Sequence, residues 1–237
     1  MRMLVMLGSL IAAAPVAGAQ TGPGSADYDF AYRYPAEAGR IAPLRAWLEA
    51  DKAKLRAMIA RDAAAAKREA TRDGYPYRKY EAQKQWQRVA DTPRFLSLSV
   101  TDYSYSGGAH GGTASGGLLW DRRAGRRVAP KAVFASAAAL QAAVMPDWCR
   151  WMRAERARRI GEVSGNDPVF GKCPPIKDVT VLLGSSSGRA IDRIGIIADQ
   201  YLVGSYAEGP YEYTLPVTAA VLRTVKPEYR GAFAVGK

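Results

Sequence analysis

One glycine-rich stretch, Tyr103–Gly117, most restricts how this chain can fold, because it separates two runs with the character of β-strands. The stretch contains six glycines and the only histidine of the chain, His110. The preceding run, Phe95–Val100, alternates apolar and polar residues, and the following run, Leu118–Asp121, is also strand-like. Glycine adopts backbone angles that residues with a Cβ resist. We therefore predict two strands joined by an irregular, glycine-rich segment.

Helical and strand-like periodicities both occur in the rest of the chain. Apolar residues from Ile41 to Ile59 recur near a 3.6-residue period, which predicts one long helix ending at Asp73-Gly74. A second helical segment follows Ser136, where Pro146 allows two abutting helices. The other predicted elements are strands at Tyr28–Tyr34, Tyr75–Val89, Val179–Leu183, Ile191–Ala198, Gln200–Val203 and Tyr211–Leu215, and a short helix at Pro216–Val225.

These elements predict an α+β fold with a mainly antiparallel sheet. One long helix is expected in the N-terminal half, and one or two helices in the C-terminal half.

The N-terminus has the pattern of a secretory signal peptide at residues 1–19. Arg2 provides the positive charge, Met3–Ala14 the apolar segment and Ala17-Gly18-Ala19 the small residues of a cleavage site. The apolar segment is shorter than the roughly 20 residues that a membrane span needs. We expect an exported protein, periplasmic or extracellular, with no transmembrane span in the mature chain.

The formal net charge of +12 predicts attraction to polyanions. For an exported protein these are peptidoglycan, lipopolysaccharide or another envelope polyanion, and not nucleic acid. A basic surface that is merely solvated is the alternative.

The two cysteines, Cys149 and Cys173, are predicted to form a disulfide because exported proteins mature in an oxidising compartment. Two free buried thiols remain the alternative.

The residue types that support catalysis are scarce in this sequence. One histidine and two cysteines are too few for a zinc site without carboxylates, so no metal or other cofactor is expected. The segment Gly184–Gly188 has the form of a nucleophile elbow, but strands are predicted on both sides of it and no histidine follows. A hydrolase using His110 with Tyr105 or Asp102 remains possible by residue type alone.

The order of several motifs resembles that of the PdaC/RsiV-like superfamily of bacterial envelope proteins. This superfamily includes the N-terminal region of the peptidoglycan deacetylase PdaC and the ectodomain of the lysozyme-sensing anti-sigma factor RsiV. The motifs are Phe95–Val100, Tyr105-Ser-Gly-Gly-Ala-His110, Leu119-Trp-Asp121 with Gly125, Val133-Phe134, and the segment Tyr201–Pro216.

The resemblance implies an N-terminal PdaC-like domain at residues 27–115 and a C-terminal RsiV-like domain of unknown function at residues 116–237. It does not imply deacetylase activity, because that activity belongs to a separate downstream domain of PdaC. A non-catalytic module that binds or senses a cell-wall or envelope component is therefore favoured. The alternatives are a hydrolase using His110 and an inhibitor of a secreted hydrolase such as lysozyme. The ligand-binding candidates are Tyr105, Gly107, Gly108, His110, Tyr206 and Tyr211.

Overall fold

The computed structural model describes residues 25–161 and 169–237, so the predicted signal peptide lies outside the described residues. Within these two ranges, no helix is long and apolar enough to cross a membrane.

Two β-sheets and several helices make up the described chain. The larger sheet has five strands, in the order β1 (Tyr28–Arg33), β2 (Tyr80–Asp91), β3 (Phe95–Tyr105), β4 (Gly112–Asp121) and β5 (Arg126–Val128). The smaller sheet has three strands, in the order β6 (Thr180–Gly184), β7 (Arg193–Ala198) and β8 (Tyr211–Pro216). The α-helices are α1 (Ala36–Gly39), α2 (Ala42–Asp73), α3 (Ala137–Ile160), α4 (Ala219–Thr224) and α5 (Pro227–Arg230), and short 3-10 helices cover Pro130–Val133 and Tyr206–Glu208.

The strand pairing is antiparallel except between β1 and β2, which run parallel. Helices α1 and α2 lie between these two strands in the chain, and a parallel pair needs a crossover of this kind. The α+β class and the mainly antiparallel sheets agree with the sequence prediction. Strands β3 and β4 are longer than predicted, however, because they extend into the glycine-rich stretch from both sides and leave only Ser106–Gly111 as the connecting loop.

Helix α2 begins and ends where the sequence predicted. Pro43 occupies its first turn, and Gly74 follows its last residue with φ of 75°, a left-handed angle that glycine adopts without steric cost. The helix buries Leu44, Leu48 and Ile59 against one face of the larger sheet. These contacts bury aliphatic side chains completely, and burial of each such side chain contributes about 1.5–3 kcal/mol.

The larger sheet is buried on both faces near one end of β3 and β4. Leu96 and Leu98 belong to the core beneath α2, whereas Phe95 and Leu119 belong to a second core formed with the smaller sheet. Gly117 lies where β4 meets β6: a Cβ there would be 2.9 Å from Leu182 Cδ2 and 3.0 Å from the Val181 carbonyl oxygen. The absence of a side chain at this position lets the two sheets approach closely.

Helix α3 packs against the smaller sheet as one continuous helix that contains Pro146, and not as two abutting helices. Ser136 caps its N-terminus, with the side chain accepting a hydrogen bond of 3.0 Å from the Ala139 amide. The predicted disulfide is present: Cys149 in α3 is bonded to Cys173 in the loop that follows, at 2.01 Å.

Two sequence predictions in the C-terminal half have different outcomes. Gly184–Gly188 joins β6 to β7 as a hairpin, as expected. Gln200–Val203 is not a strand but part of a tight turn, closed by a hydrogen bond of 3.0 Å from the Tyr201 amide to the Gly204 carbonyl. The apolar Leu202 and Val203 face the core from this turn, so their burial does not require a strand. The predicted division at residues 115 and 116 falls inside β4 and stays a prediction.

Replacing Gly117 with alanine should lower the free energy of unfolding by about 1–3 kcal/mol, because the new methyl group would overpack the contact between the sheets. Gly112→Ala in the same strand is the matched control, since a Cβ at Gly112 meets nothing within 4 Å. Urea unfolding of both variants measures the difference. Equal effects of the two substitutions would contradict the close approach at Gly117.

Removal of the disulfide by Cys149→Ala with Cys173→Ala should lower the free energy of unfolding by about 3 kcal/mol. The crosslink spans 24 residues and restricts the unfolded chain accordingly. Urea unfolding of the oxidised protein and of the double variant measures this effect. A wild-type protein that unfolds identically with and without reductant would show that the bridge does not contribute.

Candidate functional site

The loop between β3 and β4, Ser106–Gly111, is held in a defined shape by hydrogen bonds. The Tyr105 hydroxyl donates to the Gly108 carbonyl at 3.0 Å, and the Arg78 guanidinium donates to the same carbonyl at 3.1 Å. Gly107 has φ of 85°, which favours glycine. Tyr105, Gly107 and Gly108 therefore shape the loop that presents His110.

His110 is exposed at the end of this loop and contacts two tyrosines from the other half of the chain. Its ring stacks on Tyr206 with a centroid separation of 4.0 Å and an interplanar angle of 23°. Its Nε2 atom lies 3.1 Å from the Tyr201 hydroxyl. The sequence separates His110 from Tyr201 by 91 residues, so only the tertiary fold brings them together.

Both nitrogens of the His110 ring have hydrogen-bond partners. Nδ1 lies 2.8 Å from the Gly111 carbonyl oxygen, which can only accept, so Nδ1 carries the proton. In the neutral ring Nε2 then accepts a hydrogen bond from the Tyr201 hydroxyl. These two bonds and the stacking on Tyr206 fix the orientation of the imidazole.

Tyr201 has an unusual backbone conformation. Its φ of 68° is the only positive value at a non-glycine position within residues 25–161 and 169–237. A bulky residue in this region costs on the order of 1 kcal/mol or more, and such strain is concentrated at functional sites. The side chain is 57% exposed, so packing in the core does not account for the choice of tyrosine.

Tyr103 completes the cluster from β3. A Cβ at Gly111 would lie within 2.4 Å of its ring, so the ring covers the backbone next to His110. The pKa of Tyr103 is raised, first by burial and then by the nearby carboxylate of Glu81. We call Tyr103, His110, Tyr201 and Tyr206 the aromatic patch.

A buried carboxylate, Glu208, supports the segment that carries Tyr201 and Tyr206. Its Oε1 accepts from the Ser205 amide at 2.7 Å, and its Oε2 accepts from the Tyr211 hydroxyl at 2.6 Å and from Arg156 Nε at 3.2 Å. The side chains of Arg156 and Glu208 are 6% and 7% exposed. There is no space for a side chain at Gly204, because the Glu208 carboxylate fills it.

These contacts shift the pKa values of the Glu208 carboxyl and the Tyr211 hydroxyl. Burial acts to raise the pKa of Glu208, but hydrogen bonds from Tyr211, the Ser205 amide and Arg156 outweigh burial and hold it below its usual value. Burial, followed by the bond to Glu208, raises the pKa of Tyr211 to about 12. The segment is thus anchored by a carboxylate that stays ionised and a phenol that stays protonated near neutral pH.

Hydrogen bonds of Arg159 and Asp199 attach this segment to its neighbours. Arg159 donates to the carbonyl oxygens of Glu208 and Pro210 at 2.7 and 2.9 Å, which joins it to α3. The Asp199 carboxylate accepts from the Ser115 amide of β4 at 3.0 Å, which joins it to the larger sheet. The aromatic patch therefore lies on a supported surface.

The structure brings only two of the ligand-binding candidates from the sequence into the aromatic patch. His110 and Tyr206 meet in the aromatic patch, Tyr105, Gly107 and Gly108 shape the adjacent loop, and Tyr211 is fully buried beneath the patch. Sequence reasoning missed Tyr201 and Tyr103 as members of the patch. Both lie in motifs that had been singled out, but nothing in the local sequence shows that these motifs meet.

The residues proposed to assist His110 in a hydrolase are engaged elsewhere. The Asp102 carboxylate lies 3.3 Å from Lys84 Nζ, and β3 alternation directs it to the α2 face, opposite to Tyr103. The Tyr105 hydroxyl is bonded to Gly108. Within the described ranges, no group of three or more metal-ligating side chains occurs.

Glu208→Ala should lower the free energy of unfolding by about 1–3 kcal/mol for each buried donor that loses its acceptor, here the Tyr211 hydroxyl and the Ser205 amide. The folded-state pKa of Glu208 lies below its unfolded value, so its stabilising contribution is present above the unfolded pKa of about 4.3 and is lost as pH falls through the folded pKa. Urea unfolding at pH 7 and at pH 3 should therefore show a smaller difference between wild type and Glu208→Gln at the lower pH. Glu212→Gln, at an exposed position of β8, is the control.

Comparison with known proteins supports the resemblance noted in the sequence. Residues 25–113, which include the loop with His110, match the family model described as Deacetylase PdaC. No curated protein matches this chain significantly.

Solved structures that match parts of this chain include two DUF3298 family proteins. One is from Pseudomonas aeruginosa PAO1, with 15% identity, a TM-score of 0.45 and an alignment that covers 67% of this chain and 66% of that protein, just under two thirds of its length. The other is from Bacteroides fragilis NCTC 9343, with 17% identity, a TM-score of 0.44 and coverage of 79% and 69%. The family-model match over residues 25–113 confirms the PdaC/RsiV-like resemblance predicted from the motif order.

Proposed function

We propose that this protein is an exported, non-catalytic module that binds the sugar chains of the bacterial envelope, peptidoglycan in particular, through the aromatic patch. The single observation behind this proposal is the exposed contact of His110 with Tyr201 and Tyr206, formed on a segment that buried charges support from below.

The chemistry of the patch suits a carbohydrate ligand. A tyrosine presents an apolar ring face together with a hydroxyl group, and a sugar ring likewise has apolar C–H faces and hydroxyl edges. In the larger sheet Tyr103 is flanked by Gln83 of β2 and Thr113 of β4 in the strand register. Ring faces next to amide and hydroxyl groups could both stack on a sugar and hydrogen-bond to it.

The contacts of His110 favour binding over catalysis. Its two ring nitrogens already have partners in Gly111 and Tyr201, and the ring lies on an exposed surface. A general base needs a free nitrogen within hydrogen-bond reach of the proton that it removes. The hydrolase alternative would require His110 to leave the bond with Tyr201.

Binding to purified peptidoglycan sacculi tests the proposal. Tyr206→Ala should weaken cosedimentation about tenfold, because an aromatic contact contributes roughly 0.5–1.5 kcal/mol beyond the area that it buries. The assay is run at about 0.5 M salt to screen the general attraction of a basic protein to an anionic polymer. The control is Val235→Ala, which removes another exposed apolar side chain, 56% accessible, outside the patch and its loop. Equal loss in both variants, or release of soluble sugar by the wild type, would contradict a non-catalytic binding site at the patch.

Tyr201→Gly separates function from stability at the same site. Glycine accepts a φ of 68° without the steric cost of tyrosine, so the free energy of unfolding should not fall. Binding to sacculi should nevertheless weaken, because the Tyr201 ring and hydroxyl are lost. A variant that loses stability and keeps full binding would show that Tyr201 serves the fold and not the ligand.

A further inference from the structure

The end of the molecule opposite the aromatic patch brings together the tips of three hairpins. The Arg122 amide, in the β4–β5 turn, donates to the Arg94 carbonyl of the β2–β3 turn at 2.9 Å. A Cβ at Gly188, in the β6–β7 turn, would lie 3.6 Å from the Asp91 carbonyl oxygen. Strand β3 has 11 residues, so this end lies about 30 Å from the His110 loop.

A buried carboxylate gives the β4–β5 turn a fixed shape. Asp121 is 1% exposed, accepts from Arg94 Nε and Nη2 at 2.7 and 2.9 Å, and accepts from the amides of Arg123 and Ala124 at 3.0 and 3.1 Å. Gly125 has φ of 61° and completes the turn. The arginines on either side therefore extend from a rigid scaffold, which lowers the entropy lost when they bind a ligand.

Among the described residues, the acidic side chains at this end already form ion pairs, whereas several of the arginines do not. Asp121 is paired with Arg94, and Asp91 with Arg122 at 2.6 Å. Within the described parts of the chain, the exposed Arg123 and Arg126 form no ion pair. We call the following exposed residues the arginine end: Arg122, Arg123, Arg126, Arg127 and Arg189.

The Arg127 guanidinium stacks on an aromatic ring at this surface. Its guanidinium carbon lies 4.1 Å from the centroid of the Trp47 ring at the start of α2. Stacking on the ring restrains the side chain while its N–H groups remain able to donate.

Five exposed arginines at one end of the molecule suit a ligand that presents many phosphate groups. Each guanidinium can donate two parallel hydrogen bonds to one phosphate, which an ammonium group cannot do. Arg122 and Arg123 lie in the β4–β5 turn, Arg126 and Arg127 on β5, and Arg189 in the β6–β7 turn, so these arginines are spread over three segments. Each basic residue near an anionic lipid surface contributes about 1 kcal/mol, so several arginines at one end of a protein favour binding to such a surface.

We infer that the arginine end binds the phosphate groups of an anionic lipid surface and orients the aromatic patch away from that surface. This interaction is separate from sugar binding at the patch, so either one can fail without the other.

Sedimentation of the full-length chain with lipid vesicles tests the inference. Vesicles with about one third phosphatidylglycerol in phosphatidylcholine should bind the protein at low salt, and vesicles of phosphatidylcholine alone should not. Arg123→Gln with Arg126→Gln should weaken binding about fivefold for each arginine removed, roughly 25-fold in all. Neither side chain forms an ion pair in the described structure, and urea unfolding should confirm that the variant keeps wild-type stability.

Arg68→Gln with Arg153→Gln is the matched control, because it removes the same charge from exposed positions on α2 and α3. It should change vesicle binding less than twofold. Equal weakening by the two double variants would overturn the inference, because it would show that only net charge matters. Tighter binding to soluble polyphosphate than to the vesicles would overturn the choice of a lipid surface.

Discussion

The burial of the larger sheet on both faces is the constraint on which the rest of this structure depends. Leu96 and Leu98 pack beneath α2, while Phe95 and Leu119 pack against the smaller sheet from the opposite side. Both cores therefore share the same two strands, and Gly117 sets how closely the sheets approach. The two cores share β3 and β4 near only one end of each strand, so the far end extends beyond this layered region.

The two candidate surfaces lie at opposite ends of β3 and β4. The loop with His110 joins the end of β3 to the start of β4, outside the layered region, where a segment from the C-terminal half reaches it. The arginine end lies at the start of β3 and the end of β4, where the turns of three hairpins meet. Both surfaces combine turns with the ends of strands, and turns can vary in side chains without disturbing the cores.

Buried charges determine the shape of both surfaces. Glu208 anchors the segment with Tyr201 and Tyr206, and Asp121 anchors the turn between β4 and β5. Each carboxylate accepts from an arginine and from at least one backbone amide, so the cost of desolvation is offset by several charge-assisted hydrogen bonds. Both candidate surfaces thus depend on acidic side chains that solvent barely reaches.

The sequence by itself determined the α+β class, the extent of α2 and the hairpin between β6 and β7, because these follow from local periodicity and turn residues. It also indicated the pairing of Cys149 with Cys173 and the resemblance to the PdaC/RsiV-like superfamily. Only the tertiary structure decided that Tyr201 meets His110 across 91 residues, and that the predicted strand at Gln200–Val203 is a strained turn. Apolar periodicity reports whether a residue is buried, whereas contact between two exposed rings depends on how separate elements pack.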